Sequence, residues 1–335
     1  MRQEPQVAAT DPVATFGPIP PALLARLAAD YPRALRHLPV TPARAELAAA
    51  ERARVIVTTS KAGLPAAVMR DLPQLAAIIN FGVGWDKIDL TAASARGLVI
   101  SYTPDVVTDC VADIAVGLLI ATLRSLPAAD RFVRDGLWLA GRYPDTTKVS
   151  GQPVGIVGLG RIGRAIARRL DGFGCQISYN SRSPHPDAPY RYVPELTELA
   201  RSCRALIITA AGGPETAGLI SRPVLTALGD GYLINVARGS LVDDDALIDL
   251  LAAGRLGGAG LDVYASEPEV AAKLLALPNV VLLPHIGTAT RETQDAMADL
   301  TVRNLDLFLR EGSVLTPVPV TGRNSGPSRP AEGGA

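Results

Sequence analysis

An apolar run opening into a glycine triplet constrains this chain more than any other feature. It reads Val154-Gly155-Ile156-Val157-Gly158-Leu159-Gly160-Arg161-Ile162-Gly163, a G-x-G-x-x-G directly behind a strand-like segment. Arg164 to Leu170 continues as a helix and Gln176 to Tyr179 as a second strand. That strand–turn–helix–strand setting gives the motif its meaning. Gly158 permits the tight turn, Gly160 lets backbone approach a pyrophosphate, and Gly163 lets helix and strand close on each other. The helix N-terminus then favours phosphate charge. Leu159, Arg161 and Ile162 complete the turn. The reading is a dinucleotide site within a parallel α/β fold.

The rest of the chain fits that fold. Short β-branched runs recur at Val55-Ile56-Val57, Ala77-Ile78-Ile79, Leu98-Val99-Ile100, Ala205 to Ile208, Leu233 to Val236, Gly260 to Val263 and Val280 to Leu283. They are continuous rather than alternating, as strands covered on both faces are. Helix-like stretches lie between them, such as Ala43 to Arg52 and Asp243 to Ala253. A chain of 335 residues suffices for about two domains. The glycine motif sits near the middle, so another α/β unit precedes it. The long helix DCVADIAVGLLIATLR, with Asp109 as N-cap, joins the halves, and a final helix, Arg291 to Arg310, is expected to cross back onto the first half. We therefore expect two Rossmann-like, doubly wound parallel-sheet domains. Residues 102–286 form the dinucleotide domain, inserted into a discontinuous substrate domain of 1–101 and 287–319. Residues 320–335, rich in Gly, Pro, Ser and Ala, are expected to be a disordered tail.

Composition narrows the function classes. The 33 Lys and Arg balance the 33 Asp and Glu, so no long-range field draws nucleic acid or an anionic membrane. Cys110, Cys175 and Cys203 form no metal-ligand or C-x-x-C spacing, and no metal is expected. An odd, sparse set of cysteines suggests reduced thiols in a cytosol. The N-terminus MRQEPQVAATDPVATF holds no apolar run long enough for a signal peptide. The longest apolar candidate, Val111 to Leu123, carries Asp113 and reads as a buried helix rather than a membrane span. The expectation is a cytoplasmic protein.

An NAD site calls for an acidic residue about 20 residues beyond the glycines, to hold the ribose 2′-hydroxyl. Here Ser181 stands 18 residues beyond Gly163, followed by Arg182 and Ser183. A carboxylate would repel the 2′-phosphate of NADP. Two hydroxyls can donate to that phosphate, and a guanidinium can pair with it. The stretch Asn180-Ser181-Arg182-Ser183 therefore argues for NADPH over NADH.

Three polar residues follow the last three strands: Arg238 after Ile234 to Ala237, Glu267 after Leu261 to Tyr264, and His285 after Leu282 to Pro284. Strand C-termini of a parallel sheet face the ligand crevice, so the three can converge. Arg238 can bind a carboxylate bidentately and polarise an adjacent carbonyl. His285 can transfer a proton near neutral pH. Glu267 beside the imidazole would orient it and stabilise its charged form. Alone, each is more readily a structural residue; the glycine motif is what raises them to a catalytic set.

With these residues in view, the chain resembles the D-isomer-specific 2-hydroxyacid dehydrogenases. GLGRIG, NVARGSLVDDDAL, GLDVYASEP and PHIGTATRET carry the resemblance in order, with TPDVVTDCVADIAVGLLIATLR and NFGVGWDKID. The NSRS stretch is similar to that of the NADPH-preferring glyoxylate/hydroxypyruvate reductases, including plant hydroxyphenylpyruvate reductases. The resemblance implies Arg238, Glu267 and His285 as the catalytic set. It implies that backbone amides at Val83 and Gly84 bind the substrate carboxylate. It places Thr108 near the nicotinamide, Asp262 near its carboxamide and Gly287 in the same crevice, and it puts Ala210, Val236 and Ala237 on the cofactor side. Trp138 resembles a residue that reaches the partner subunit's pocket in a homodimer; packing between subunits alone is the other reading. The run Thr209-Ala210-Ala211-Gly212-Gly213-Pro214 departs from the more apolar Leu-Pro turn usual there.

The expected activity is NADPH-dependent reduction of a small 2-oxo acid to the D-2-hydroxy acid. Two alternatives stay open here: an NADH-dependent dehydrogenase of another 2-hydroxy acid, and a non-catalytic dinucleotide-sensing protein of the same fold.

Overall fold

Strands form where apolar side chains can be buried on both sides of a sheet. The computed structural model describes residues 13–31 and 35–319; the expected tail at 320–335 lies outside the described residues. In chain order the elements are β1 Val13–Phe16, α1 Pro21–Asp30, β2 Arg36–Leu38, α2 Arg44–Ala49, β3 Val55–Thr59, α3 Ala66–Arg70, β4 Ala77–Phe81, α4 Leu90–Ala95 and β5 Val99–Ser101. Next come α5 Thr108–Leu123, α6 Leu126–Arg134, β6 Pro153–Val157, α7 Arg161–Asp171, β7 Gln176–Asn180, β8 Arg191–Tyr192, α8 Leu196–Arg201, β9 Ala205–Ile208 and α9 Arg222–Leu228. The chain then runs through β10 Tyr232–Asn235, α10 Asp244–Ala252, β11 Gly258–Leu261, α11 Ala272–Leu275, β12 Val280–Leu282 and α12 Arg291–Glu311.

The chain divides into two units, one running to Val106 and resuming at Arg291, the other spanning Val107–Thr290. These breaks fall a few residues beyond the boundaries read from the sequence. The first unit holds a parallel sheet ordered β2-β1-β3-β4-β5. Its core gathers Phe16, Ile56, Met69, Leu72, Ile78 and Ile100. The final helix α12 belongs to this unit and packs on β4 and α1.

The second unit holds a seven-stranded parallel sheet ordered β12-β11-β10-β9-β6-β7-β8. Successive residues of one strand enter opposite cores. Leu206 and Ile208 join one cluster, Ala205 and Ile207 the other; Leu233 and Ile234 divide the same way. Both faces are covered, which is why the runs read as continuously apolar. From β6 the chain winds outward to β7 and β8, then returns to β9 on the opposite side of β6. That reversal between β6 and β9 is where a doubly wound sheet binds its ligand.

Some local expectations shift. Asp109 does not cap the long helix: α5 begins at Thr108, with Val107 in the cap position and no side-chain cap bond. Asp109 sits in the first turn, where the helix dipole favours an acid. Its carboxylate meets Arg169 of α7 at 3.0 Å. β10 and β11 each end earlier than expected, because Asn235 and Asp262 bond to the backbone of the turns that follow. β1, β2 and β8 had no reading in the sequence. Among the described residues no single helix is long and apolar enough to cross a membrane; α5 and α6 meet at a 57° bend.

Candidate active site

The glycine turn joins the end of β6 to the start of α7. Gly158 has φ +96, and a Cβ there would meet Ala210 N at 2.8 Å; at Gly163 it would meet Gly158 O at 2.2 Å. Packing inside the unit therefore demands both glycines. Gly160, at the N-cap of α7, differs: nothing lies within 4 Å of where its Cβ would stand. Its bare backbone opens to solvent at the N-terminus of an 11-residue helix, the cradle a pyrophosphate needs. The residues present fit a dinucleotide. Thr209, the first residue of the run that departs from the usual Leu-Pro turn, braces this turn. Its Oγ1 donates to Gly158 O at 2.5 Å with Val157 O at 3.2 Å. The signal available was a hydroxyl directly after the apolar β9 run.

The end of β7 lies beside the turn, since Gly158 N–H donates to Asn180 O at 2.8 Å. Asn180 Nδ2 reaches Val193 O and Pro194 O, each at 2.9 Å, and fixes where Ser181 leaves the strand. Ser181 Oγ donates to Ser183 O at 2.6 Å, so this hydroxyl must rotate before it can donate elsewhere. Arg182 is exposed and forms no ion pair among the described residues. The loop beyond is strapped down by Arg164 of α7 on Asp187 at 2.9 Å, and by His185 N–H on the Tyr179 hydroxyl at 2.8 Å.

On the other side of the switch point stand the ends of β10, β11 and β12. Asn235 is buried, and its amide shapes the turn by accepting from Ala237 N–H and donating to Arg238 O. Gly239 next to it lies so close to the following loop that a Cβ would meet the Tyr264 carbonyl carbon at 1.9 Å. The Arg238 turn and the Tyr264–Glu267 loop are thereby neighbours. Glu267 Oε1 accepts from Tyr264 N–H at 3.1 Å, and Oε2 lies 2.7 Å from His285 Nδ1. Both side chains are about three-quarters buried, so the pair is only partly screened.

His285 has a left-handed backbone, φ +57, a conformation that costs energy outside glycine. Asp262 holds the turn that follows it, accepting from Ile286 N–H at 2.7 Å and Gly287 N–H at 2.8 Å. Burial raises the Asp262 pKa above the ordinary carboxylate range, against the lowering effect of those two amides. Tyr264 ties the same ends together, its hydroxyl donating to Leu283 O at 2.9 Å, and burial pushes it up to about 12. Neither the Asn235 turn nor the Tyr264 tie was read from the sequence. A polar residue closing an apolar strand run was the available sign.

Val236 and Ala237 stand between β10 and Arg238, Ala210 follows Thr209, and Thr108 opens α5. Trp138 lies in a short helical turn after α6, 67% exposed, beside a hollow of about 280 Å³ formed with Ala129, Phe132, Val133 and Tyr143. Val83 and Gly84 follow β4 in the first unit.

The family model for the D-isomer specific 2-hydroxyacid dehydrogenase NAD binding domain matches residues 116–287. The chain belongs to the D-isomer specific 2-hydroxyacid dehydrogenases. Within this family it is 48% identical over 266 residues to the glyoxylate/hydroxypyruvate reductase A of Arabidopsis thaliana, covering 79% of this chain and 85% of that one. It is 48% identical over 270 residues to the hydroxyphenylpyruvate reductase of Plectranthus scutellarioides, covering 80% and 86%. Among solved structures it matches the NADPH-dependent glyoxylate/hydroxypyruvate reductase of Sinorhizobium meliloti in complex with NADP and malonate. The TM-score is 0.85 at 42% identity, over 93% of this chain and 98% of that one. For this 2-hydroxyacid dehydrogenase the matched region takes in the glycine turn, the Arg238 and Glu267 loops and His285.

Proposed function

We propose that the enzyme reduces a small 2-oxo acid of the glyoxylate or hydroxypyruvate type to the D-2-hydroxy acid, with NADPH as the reductant. The observation that carries the catalytic assignment is the 2.7 Å contact between His285 and Glu267 at adjacent strand ends, on a sheet whose switch point holds the glycine turn. The substrate class follows the relatives, and the D configuration follows the family.

Bound NADPH supplies the hydride. The chain does the rest. A carboxylate can only accept, so His285 carries its hydrogen on Nδ1 toward Glu267, and Nε2 is left to give a proton to the substrate oxygen. Arg238 polarises the substrate carbonyl and can pair with a carboxylate beside it; the Val83 and Gly84 amides of the first unit are read as donors to a substrate carboxylate. Gly158 to Gly163 take the pyrophosphate at the α7 N-terminus, and Ser181, Arg182 and Ser183 take the 2′-phosphate. Thr108, Ala210, Val236, Ala237, Asp262 and Gly287 line the remaining cofactor surface.

The functional form is a homodimer in the cytoplasm. The apolar surface of Leu126, Val133, Leu137, Trp138 and Leu139 supports a self-association face, with Trp138 reaching toward the partner's pocket. The test is NADPH and NADH consumption by the purified protein over a panel of 2-oxo acids. Turnover of glyoxylate or hydroxypyruvate with NADPH is expected; no turnover of any 2-oxo acid with either cofactor would overturn the proposal.

A further inference from the structure

The loop after β4 is held from beneath by a buried polar cluster that core stability alone does not call for. Asn80 is 0% exposed. Its Nδ2 has Gly84 O at 3.0 Å, Gly82 O at 3.2 Å and Ser60 Oγ at 3.3 Å. These acceptors fix the amide's orientation, because a flip would set its own oxygen against two carbonyls. The Oδ1 accepts from nothing among the described residues. A leucine of similar size would bury here without an orphaned acceptor. What Asn80 adds over leucine is a pair of donors aimed at the loop.

The neighbours converge on the same carbonyls. Ser60 Oγ donates to Gly84 O at 2.5 Å, and Thr103 N–H donates to Gly82 O at 3.0 Å. Thr103 Oγ1 accepts from Gly82 N–H at 3.1 Å. Gly82 takes φ +138, and a Cβ there would meet Ser60 Oγ at 2.0 Å, so only glycine lets the loop settle on the cluster. In a trans peptide the N–H points opposite to the C=O. Turning Gly82 O onto Asn80 therefore aims Val83 N–H away from Asn80. Among the described residues neither Val83 N–H nor Gly84 N–H donates to any acceptor.

We propose that Asn80, assisted by Ser60, is the positioning residue for the Val83 and Gly84 amides and so for recognition of the substrate's carboxylate. The proposal rests on the reading that these amides take that carboxylate. Asn80 acts through the loop and touches neither substrate nor cofactor. The carbonyls tolerate its loss, since Gly82 O keeps Thr103 N–H and Gly84 O keeps Ser60 Oγ. Carboxylate recognition thus depends on Asn80 more than folding does.

The test is Asn80→Leu, with Ser60→Ala as a second variant should the first fold poorly. Five quantities are measured: KM and kcat for glyoxylate, the inhibition constant of oxalate, the NADPH Kd by fluorescence, and Tm. For Asn80→Leu, KM and the oxalate constant should rise about 10–100-fold, the size of one to two buried hydrogen bonds. Ser60→Ala should give a smaller rise in both. NADPH Kd should stay within about twofold of wild type in each. Unchanged oxalate inhibition in both variants would overturn the clamp. So would a parallel loss of oxalate binding, NADPH binding and Tm, which marks a merely structural residue. Failure of the underlying reading looks different: oxalate would then not compete with glyoxylate in the wild-type enzyme, and the clamp would fall with it.

Discussion

His285 Nδ1 and Glu267 Oε2 stand 2.7 Å apart, and the contact fixes the imidazole by its inner nitrogen. Under the proposed chemistry, Nε2 is then the nitrogen left to give the proton. His285→Ala should lower kcat for 2-oxo acid reduction by about 10²–10⁴-fold. NADPH Kd should remain near the wild-type value. Near-normal turnover across the accessible pH range would remove His285 from the chemistry.

Glu267→Gln keeps the shape and removes the charge. The replacement amide can present either oxygen or N–H₂ to Nδ1, so the tautomer is no longer imposed. A charge-assisted bond is also lost, worth about 1.5–3 kcal/mol. We expect kcat to fall about 10–100-fold, with little change in NADPH Kd. A variant with wild-type kcat would show that the carboxylate is not needed for orientation.

These residues were legible because of where strands end. Arg238, Glu267 and His285 follow three apolar runs that became β10, β11 and β12 in order along one edge of the sheet, and parallel strands put their C-termini on one side. The braces behind them were not legible. Asn235, Tyr264 and Thr209 act on backbone carbonyls and amides brought near only by the fold. No spacing rule marks such contacts. Strands β1 and β2 were missed for a related reason. They are short, and what makes them strands is pairing, β1 with both β2 and β3 and β2 with β1, rather than a long apolar run.

Asp244 offers a test of electrostatics away from the chemistry. It opens α10, and burial together with its neighbours Asp245 and Asp243 raises its pKa. An acid whose folded pKa is raised binds protons more tightly in the native state. Its stabilising contribution is present at low pH and lost as pH rises through the folded value. Asp244→Asn should therefore raise Tm at pH 8, by about 1–4 °C, and the gain should shrink toward pH 4. Melting curves across that range check it; a gain that grows on acidification would refute the assignment.

Leu139 is 97% exposed and Trp138 67%, beside the exposed Val133 and Leu137. If these side chains form the proposed dimer face, it should bury more than about 1,000 Å². Light scattering should give about twice the 35.0 kDa chain mass. Leu139→Asp combined with Val133→Asp should shift the protein toward monomer, because charges at an apolar interface lose hydration without gaining partners. A wild-type protein that stays monomeric at micromolar concentration would remove the dimer and the role of Trp138 in the partner's pocket.

Arg182 is the test of the proposed cofactor preference: an exposed guanidinium with no ion pair among the described residues, at the end of a strand tied to the glycine turn through Gly158 N–H and Asn180 O. If Arg182 pairs with the 2′-phosphate, Arg182→Ala should weaken NADPH and spare NADH. A charge-assisted contact of about 1.5–3 kcal/mol corresponds to an NADPH loss of about 10–100-fold. Ser181→Asp should go further. It replaces a hydroxyl with a charge that repels the phosphate, and it supplies an acceptor for a free ribose hydroxyl. The double variant should then prefer NADH. The measurement is kcat/KM for both cofactors at one fixed ionic strength, since the contact is ionic. Arg164 and Asp187, which strap the same loop at 2.9 Å, provide the control. Asp187→Asn should loosen the loop and weaken both cofactors to a similar, smaller extent. Equal losses for NADPH and NADH in Arg182→Ala would place Arg182 with that strap, as a support of the loop rather than a reader of the phosphate.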